Sequence, residues 1–155
     1  MHELILLRHA EAETLNHGKD DRERKLTEHG RNEARAAGEW LASHGIKYDR
    51  ILCSPAERTK ETAALALGQV EPSYKPEIYD ATPGTLYELL DQQSDVDRVV
   101  LVGHNPGIEQ LVAFLVEGDS DQYRGMPPGG MARIVFDGPL EPGKATLHTF
   151  WSPPN

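Results

Sequence analysis

Four apolar residues, Leu4-Ile5-Leu6-Leu7, run without a spacer into Arg8 and His9. A strong cation beside an imidazole suits neither a buried strand nor a turn, but it does suit the rim of an oxyanion site. Two further apolar runs end in similar chemistry. Ile51-Leu52-Cys53 leads into Ser54-Pro55-Ala56-Glu57-Arg58, and Val99-Val100-Leu101-Val102 leads into Gly103-His104-Asn105-Pro106. Guanidiniums grip phosphoryl oxygens through two parallel N–H donors. Of two histidines, one can attack phosphorus as a covalent nucleophile while the other stabilises charge on the transferring group. Arg8, His9, Arg58 and His104 therefore form the convergent set, with His9 as the attacking residue. A lone histidine at a strand end is usually a plain loop residue, and Ser54-Pro55-x-Glu57 alone is only a helix start. The repetition at three run ends is what carries the chemistry.

The elements that must position this set follow from the pattern of the chain. Short continuous apolar runs read as strands buried on both faces. Ala132–Phe136 and Ala145–Phe150 read as antiparallel or edge strands. Helices are expected over Leu26–His44, stopped by Gly45, over 55–67, over 83–91, and around Ile108, Leu111, Val112, Leu115 and Val116, which follow the helical i, i+3, i+4, i+7, i+8 spacing. Strand and helix alternate, which predicts an α/β layer fold with a mostly parallel sheet. In such sheets ligands bind beyond the carboxyl ends of the strands. Ser54-Pro55-x-Glu57 reads as a capping box with proline at N1, and Asn105-Pro106 repeats the cap and the proline. Two helix N-termini would then face the same anion. Loops are expected at 16–24, 68–76, 117–130 and 137–144. His2, His17, His29, His44 and His148 read as surface or loop residues, and Cys53, Trp40 and Trp151 as packing residues.

Composition bounds the rest. The chain has 155 residues, 38% hydrophobic and 26% charged, the profile of one globular domain spanning 1–155. A chain of this size buries roughly 70% of its unfolded surface and needs no staple. One cysteine permits no internal disulfide. The absence of a signal pattern and of any membrane-length apolar run implies a cytoplasmic protein with no membrane partner. The net charge of −9 argues against nucleic acid, which selects basic surfaces, but leaves room for a local arginine cluster. A P-loop is excluded because no GxxxxGK[ST] is present.

Arg8-His9-Ala10, Ser54-Pro55-x-x-Arg58-x-x-x-Thr62 and Gly103-His104-Asn105 resemble the histidine phosphatase superfamily, with Ala10 where the first motif usually has glycine. That replacement is common in the branch similar to the SixA phosphohistidine phosphatases, which also tends to carry Asp-x-x-Arg-x-Leu-Thr-x-x-Gly. Here that segment runs from Asp21 through Arg24, Leu26 and Thr27 to Gly30. The resemblance covers residues 3 to about 136. It implies a three-layer, phosphoglycerate-mutase-like α/β/α sandwich, a phosphohistidine intermediate on His9, and a phosphate pocket lined by Arg8, Arg58 and His104. Arg24 would add a contact, with Asn105 and Ser54 beside it. It implies no metal; no cofactor and a monomeric chain are expected besides.

For attack, one ring nitrogen of His9 must be free. Arg8 and Arg58 disfavour the imidazolium, and the other nitrogen is expected to donate to a backbone carbonyl. The leaving group separates the substrate classes. An alcohol leaves poorly without an acid, whereas imidazole, whose conjugate acid has a pKa of about 6.5, needs little help. Larger relatives take an acid from the segment after the second motif. Here that is Lys75–Pro83, with Asp80 and Glu77 as candidates and Glu11 as a weaker one; a loop acid capping the helix restarted at Thr82-Pro83 is the alternative. Branch resemblance and a short chain point to phosphohistidine on a protein. A phosphatase of small phosphomonoesters and a non-catalytic phosphate-binding module are the competing readings.

Overall fold

The computed structural model describes residues 2–15, 18 and 20–154, so the surface position expected for His17 lies outside them. In chain order the elements are β1 (His2–Arg8), α1 (Glu28–Ser43), β2 (Arg50–Cys53), α2 (Glu57–Ala66), β3 (Pro72–Tyr74), α3 (Pro83–Asp91), β4 (Arg98–Gly103), α4 (Gly107–Glu117), β5 (Met131–Phe136) and β6 (Thr146–Trp151). One sheet has the order β3-β2-β4-β1-β5-β6. The first four of these strands are parallel to one another, while β5 runs antiparallel to β1 and β6 antiparallel to β5.

The apolar runs are continuous because both faces of the sheet are covered. Leu4 and Leu6 point to the face packed by Leu86 of α3 and by Ile108, Leu111 and Leu115 of α4. Ile5 and Leu7 point to the opposite face, against Ala37 and Leu41 of α1 and Ala63 of α2. Helices on both sides of a six-stranded sheet make the expected three-layer sandwich. The late strands are antiparallel, as the weaker apolar pattern suggested. Residues 72–74 differ from the loop expected there: they add β3 at the sheet edge, where Pro72, lacking an N–H, is tolerated.

Helix ends follow local chemistry with one exception. Thr27 caps α1 by accepting from Gly30 N–H, Thr82 caps α3 by accepting from Thr85 N–H, and Gly118 closes α4 at φ 80°. The capping box read at Ser54 does not form. Helix α2 starts at Glu57 with Ala56 as its unassisted cap, and Ser54, two residues before that cap, bonds a histidine instead. Likewise α4 starts at Gly107, after Pro106 rather than at it, although Asn105 Oδ1 still accepts the Glu109 N–H at 3.3 Å.

The 21–30 segment belongs to the fold as much as to the site. Leu26 packs with Ala10 and Ala34. Gly30 lets α1 lie against the chain just past His9: a Cβ there would fall 2.0 Å from the Glu11 carbonyl oxygen. A backbone contact that close cannot be relieved by a side-chain rotation. Gly30→Ala is expected to lower unfolding free energy by roughly 3 kcal/mol, seen as a lower urea midpoint with unchanged slope.

Candidate active site

Register brings the three run ends together. Arg8 lies opposite Gly103, and Cys53 opposite Val102, so residues 9, 54 and 104 leave adjacent parallel strands at one edge. The His9 N–H donates to the Gly103 carbonyl at 3.0 Å, and the Ser54 N–H to the Val102 carbonyl at 3.1 Å. The two imidazole centroids are 5.4 Å apart. Helix α2 supplies Arg58 from its first turn, and Thr62 one turn later ties that helix to the strand end by accepting the Ala10 N–H at 3.0 Å. The loop at 117–130 borders the site: the Met126 carbonyl accepts from Arg8 Nη1 at 2.8 Å and from Asn105 Nδ2 at 3.0 Å, and the Gly129 N–H donates to the His9 carbonyl.

The partner of His9 fixes its tautomer, and His104 is held by a hydroxyl. His9 Nδ1 lies 2.7 Å from the Ala10 carbonyl, which can only accept, so Nδ1 carries the hydrogen and Nε2 the lone pair. His104 Nε2 lies 2.8 Å from Ser54 Oγ. That hydroxyl also accepts weakly from the Ala56 N–H at 3.4 Å, and His104 Nδ1 is left without a partner. Ser54 is fully buried. It meets the site through its bond to His104. Burial is the main reason both rings are neutral. It pushes His9 down to about 4, with Arg58, Arg8 and Arg24 adding to it, and His104 down to about 3, with His9 and Arg58 adding. The arginines assigned that role from sequence are thus the lesser cause.

Among the described residues, three buried side-chain polar atoms have no hydrogen-bond partner: Arg8 Nε, Arg58 Nε and His104 Nδ1. All are nitrogens of the four residues read as convergent, and leaving buried polar groups unpaired costs roughly 1–3 kcal/mol each. A donor set of this kind is matched by an anion with several oxygens. A cleft of about 210 Å³ is lined by Asp21, Arg58, Tyr79, Asp80, His104 and Asn105 among others, and Arg8 and His9 stand outside its lining. A second cleft, of about 200 Å³, opens at the opposite end of β1 and β4 between Leu4, Val99, Phe136 and Leu140, and contains none of these donors.

The other residues singled out from sequence divide. Asp80 lines the cleft with φ 57°, a left-handed conformation, and the cap of α3 is Thr82 rather than Asp80. Glu77 is exposed on the short turn Pro76–Ile78 and does not line the cleft. Glu11 binds the Thr27 hydroxyl at 2.7 Å. Asn105 lines the cleft but spends its amide on Met126 and Glu109. Arg24 joins the cluster through Asp21 Oδ1, at 2.9 Å. Sequence reasoning missed Asp21, which binds Arg58, and Tyr79, whose ring meets His104 edge-on at 5.4 Å. Only the position of Asp21 at the head of the Asp-x-x-Arg segment hinted at the former.

A three-layer sandwich whose parallel strands end in two imidazoles and two guanidiniums defines a phosphatase of the phosphoglycerate-mutase-like class. The chain belongs to the histidine phosphatase superfamily: the family model for its branch 1 matches residues 4–85. It is similar to a candidate phosphohistidine phosphatase SixA from Nakamurella multipartitia, with TM-score 0.87, 28% identity, and coverage of 98% of this chain and 96% of that one. The structure of the protein histidine phosphatase SixA complexed with tungstate aligns with TM-score 0.80, 25% identity and 97% of both chains. A phosphohistidine phosphatase SixA homolog of Haemophilus influenzae is 30% identical over 87% of this chain and 88% of its own length. No helix among the described residues is long and apolar enough to cross a membrane.

Neutral, buried rings make stability depend on pH. The unfolded chain protonates both histidines near 6.5, the folded protein only near 4 and 3. Between those values the unfolded state holds more protons, so stability rises with pH there. Acidification from about 6.5 towards 4 is expected to lower the urea midpoint steadily. His9→Asn should remove part of that slope and His104→Asn another part.

Proposed function

We propose that this protein hydrolyses phosphohistidine carried on a protein, through a phosphoenzyme formed on His9. The observation that supports it most is the His9 ring itself: Nδ1 is committed to the Ala10 carbonyl, the ring is neutral, and Nε2 keeps its lone pair beside unpartnered guanidinium donors. In the first step the substrate ring reacts with its distal nitrogen protonated: the His9 Nε2 lone pair forms an N–P bond as the substrate's own P–N bond breaks, and the bonding pair leaves on neutral imidazole. Arg8, Arg58 and His104 stabilise the charge on the equatorial oxygens of the loose transition state. In the second step water attacks phosphorus, the Nε2–P bond breaks and its pair returns to the ring. The proton from water ends on inorganic phosphate or solvent. Imidazole leaving from a protonated ring needs no strong acid. The names of the relatives point the same way, and a tungstate complex of one of them fits an oxyanion pocket.

The test offers the protein a ³²P-phosphohistidine protein and simple phosphomonoesters side by side. Preference for the former is expected, with acid-labile label trapped on the enzyme after rapid quench. His9→Ala should abolish the label and lower kcat/KM by at least about 10⁴-fold. No label on the wild type would favour a non-catalytic phosphate-binding module. The acid limb of kcat/KM set by His9 should lie near 4, well below an ordinary histidine's 6.5.

One observation favours a second reading. Asp80 lines the cleft with Arg58 and His104 in a left-handed conformation, and such strained residues cluster at functional sites. Asp80 would then protonate an alcohol leaving group, and the substrates would be small phosphomonoesters. Asp80→Asn decides between the two: monoester turnover falls by about 10²-fold if Asp80 is the acid, while phosphohistidine turnover stays within about twofold.

A further inference from the structure

Both pocket arginines are held by the same logic. Arg8 gives Nη1 to the Met126 carbonyl and keeps a buried, unpartnered Nε. Arg58 gives Nη1 to the Asp21 carbonyl at 2.8 Å and Nη2 to Asp21 Oδ2 at 2.9 Å, and it too keeps an unpartnered Nε. The protein takes both terminal nitrogens of Arg58 and one of Arg8, and leaves Nε of each without a partner. Asp21 is itself fastened from other sides: the Tyr79 hydroxyl donates to Oδ2, and Arg24 Nη1 donates to Oδ1 at 2.9 Å. Arg24 is anchored in turn by the Glu13 carbonyl, 2.6 Å from its Nε. Tyr79 is placed by its edge contact with His104 and by the Arg22 guanidinium 4.8 Å from its ring centroid.

A carboxylate in an oxyanion pocket can act in two opposite ways. As a competing anion it would weaken phosphate binding, and its removal would tighten it. As an anchor it would hold the guanidinium ready, and its removal would weaken binding. The geometry points to the second. One of the two bonds to Arg58 comes from the Asp21 backbone, which an incoming anion does not displace by charge, and Tyr79 holds the carboxylate against release. We propose that Asp21 and Tyr79 are a positioning pair that holds the Arg58 guanidinium in the orientation that receives the transferred oxyanion. This rests on the oxyanion reading of the site.

Tungstate binding to the full-length chain, measured by titration calorimetry, tests the pair without any assay of turnover. Wild type should bind. Asp21→Ala should weaken binding by at least about tenfold, although it deletes a negative charge, and Asp21→Asn, which keeps one acceptor oxygen, should fall between them. Tyr79→Phe leaves the charge in place and should weaken binding about threefold. In an Arg58→Ala background, Asp21→Ala should add no further loss, because it acts through that arginine. A purely structural role would lower the melting temperature and leave the affinity of the folded protein unchanged. Unchanged or tighter binding in Asp21→Ala, or additivity with Arg58→Ala, overturns the pair. If Asp21→Ala does not fold, unchanged binding in Tyr79→Phe does the same. Wild-type binding with unaffected variants removes only this proposal, whereas no tungstate binding to wild type brings down the oxyanion reading and the pair with it.

Discussion

The register of three parallel strands governs everything at the site. With Arg8 opposite Gly103 and Cys53 opposite Val102, the residues that follow each strand emerge together. A slip of one residue would turn Leu4 and Leu6 to the wrong helix layer and separate the imidazoles. The two helix layers enforce this register, because Leu4 and Leu6 fill one core while Ile5 and Leu7 fill the other. Core packing and chemistry are thus two consequences of one alignment. Small polar ties then complete it: Thr62 joins α2 to Ala10, and Ser54 joins β2 to His104.

Electrostatics at the site runs against the rest of the molecule. A chain of net charge −9 concentrates guanidiniums at one sheet edge. Around them the imidazoles are held neutral mainly by burial, so they add no positive charge of their own at neutral pH. Asp21 offsets the cations internally, and its carboxyl is held well below the usual range, first by the Tyr79 hydroxyl and then by Arg24 and Arg58. The result is a cationic pocket that an acidic protein can keep folded.

Legibility followed the kind of signal involved. The buried strands were readable because burial on both faces leaves unbroken apolar runs, and α3 was readable from Thr82-Pro83. Strand β3 was not, since three residues with a proline carry no periodicity. Ser54 was misread because a serine before proline and glutamate satisfies the local rules for a cap, and nothing local reveals that the cap falls two residues later or that a histidine fifty residues away meets its hydroxyl. Glu77 and Asp80 looked equivalent along the chain. The short turn at Pro76–Ile78 and the left-handed backbone at Asp80 put one outside the cleft and the other on its wall.

What the sequence determined by itself is the set of strands, their α/β order, and the side chains placed just past their ends, because these depend on composition and period over a few residues. Only the tertiary structure decided which hydroxyl, carbonyl or carboxylate each of those side chains meets. Asp21, Tyr79 and the Met126 carbonyl join the site from segments that have no apolar pattern of their own. Their partners are set by distance in space, and a hydrogen bond between residues 21 and 58, or 8 and 126, leaves no trace in the local order of residues.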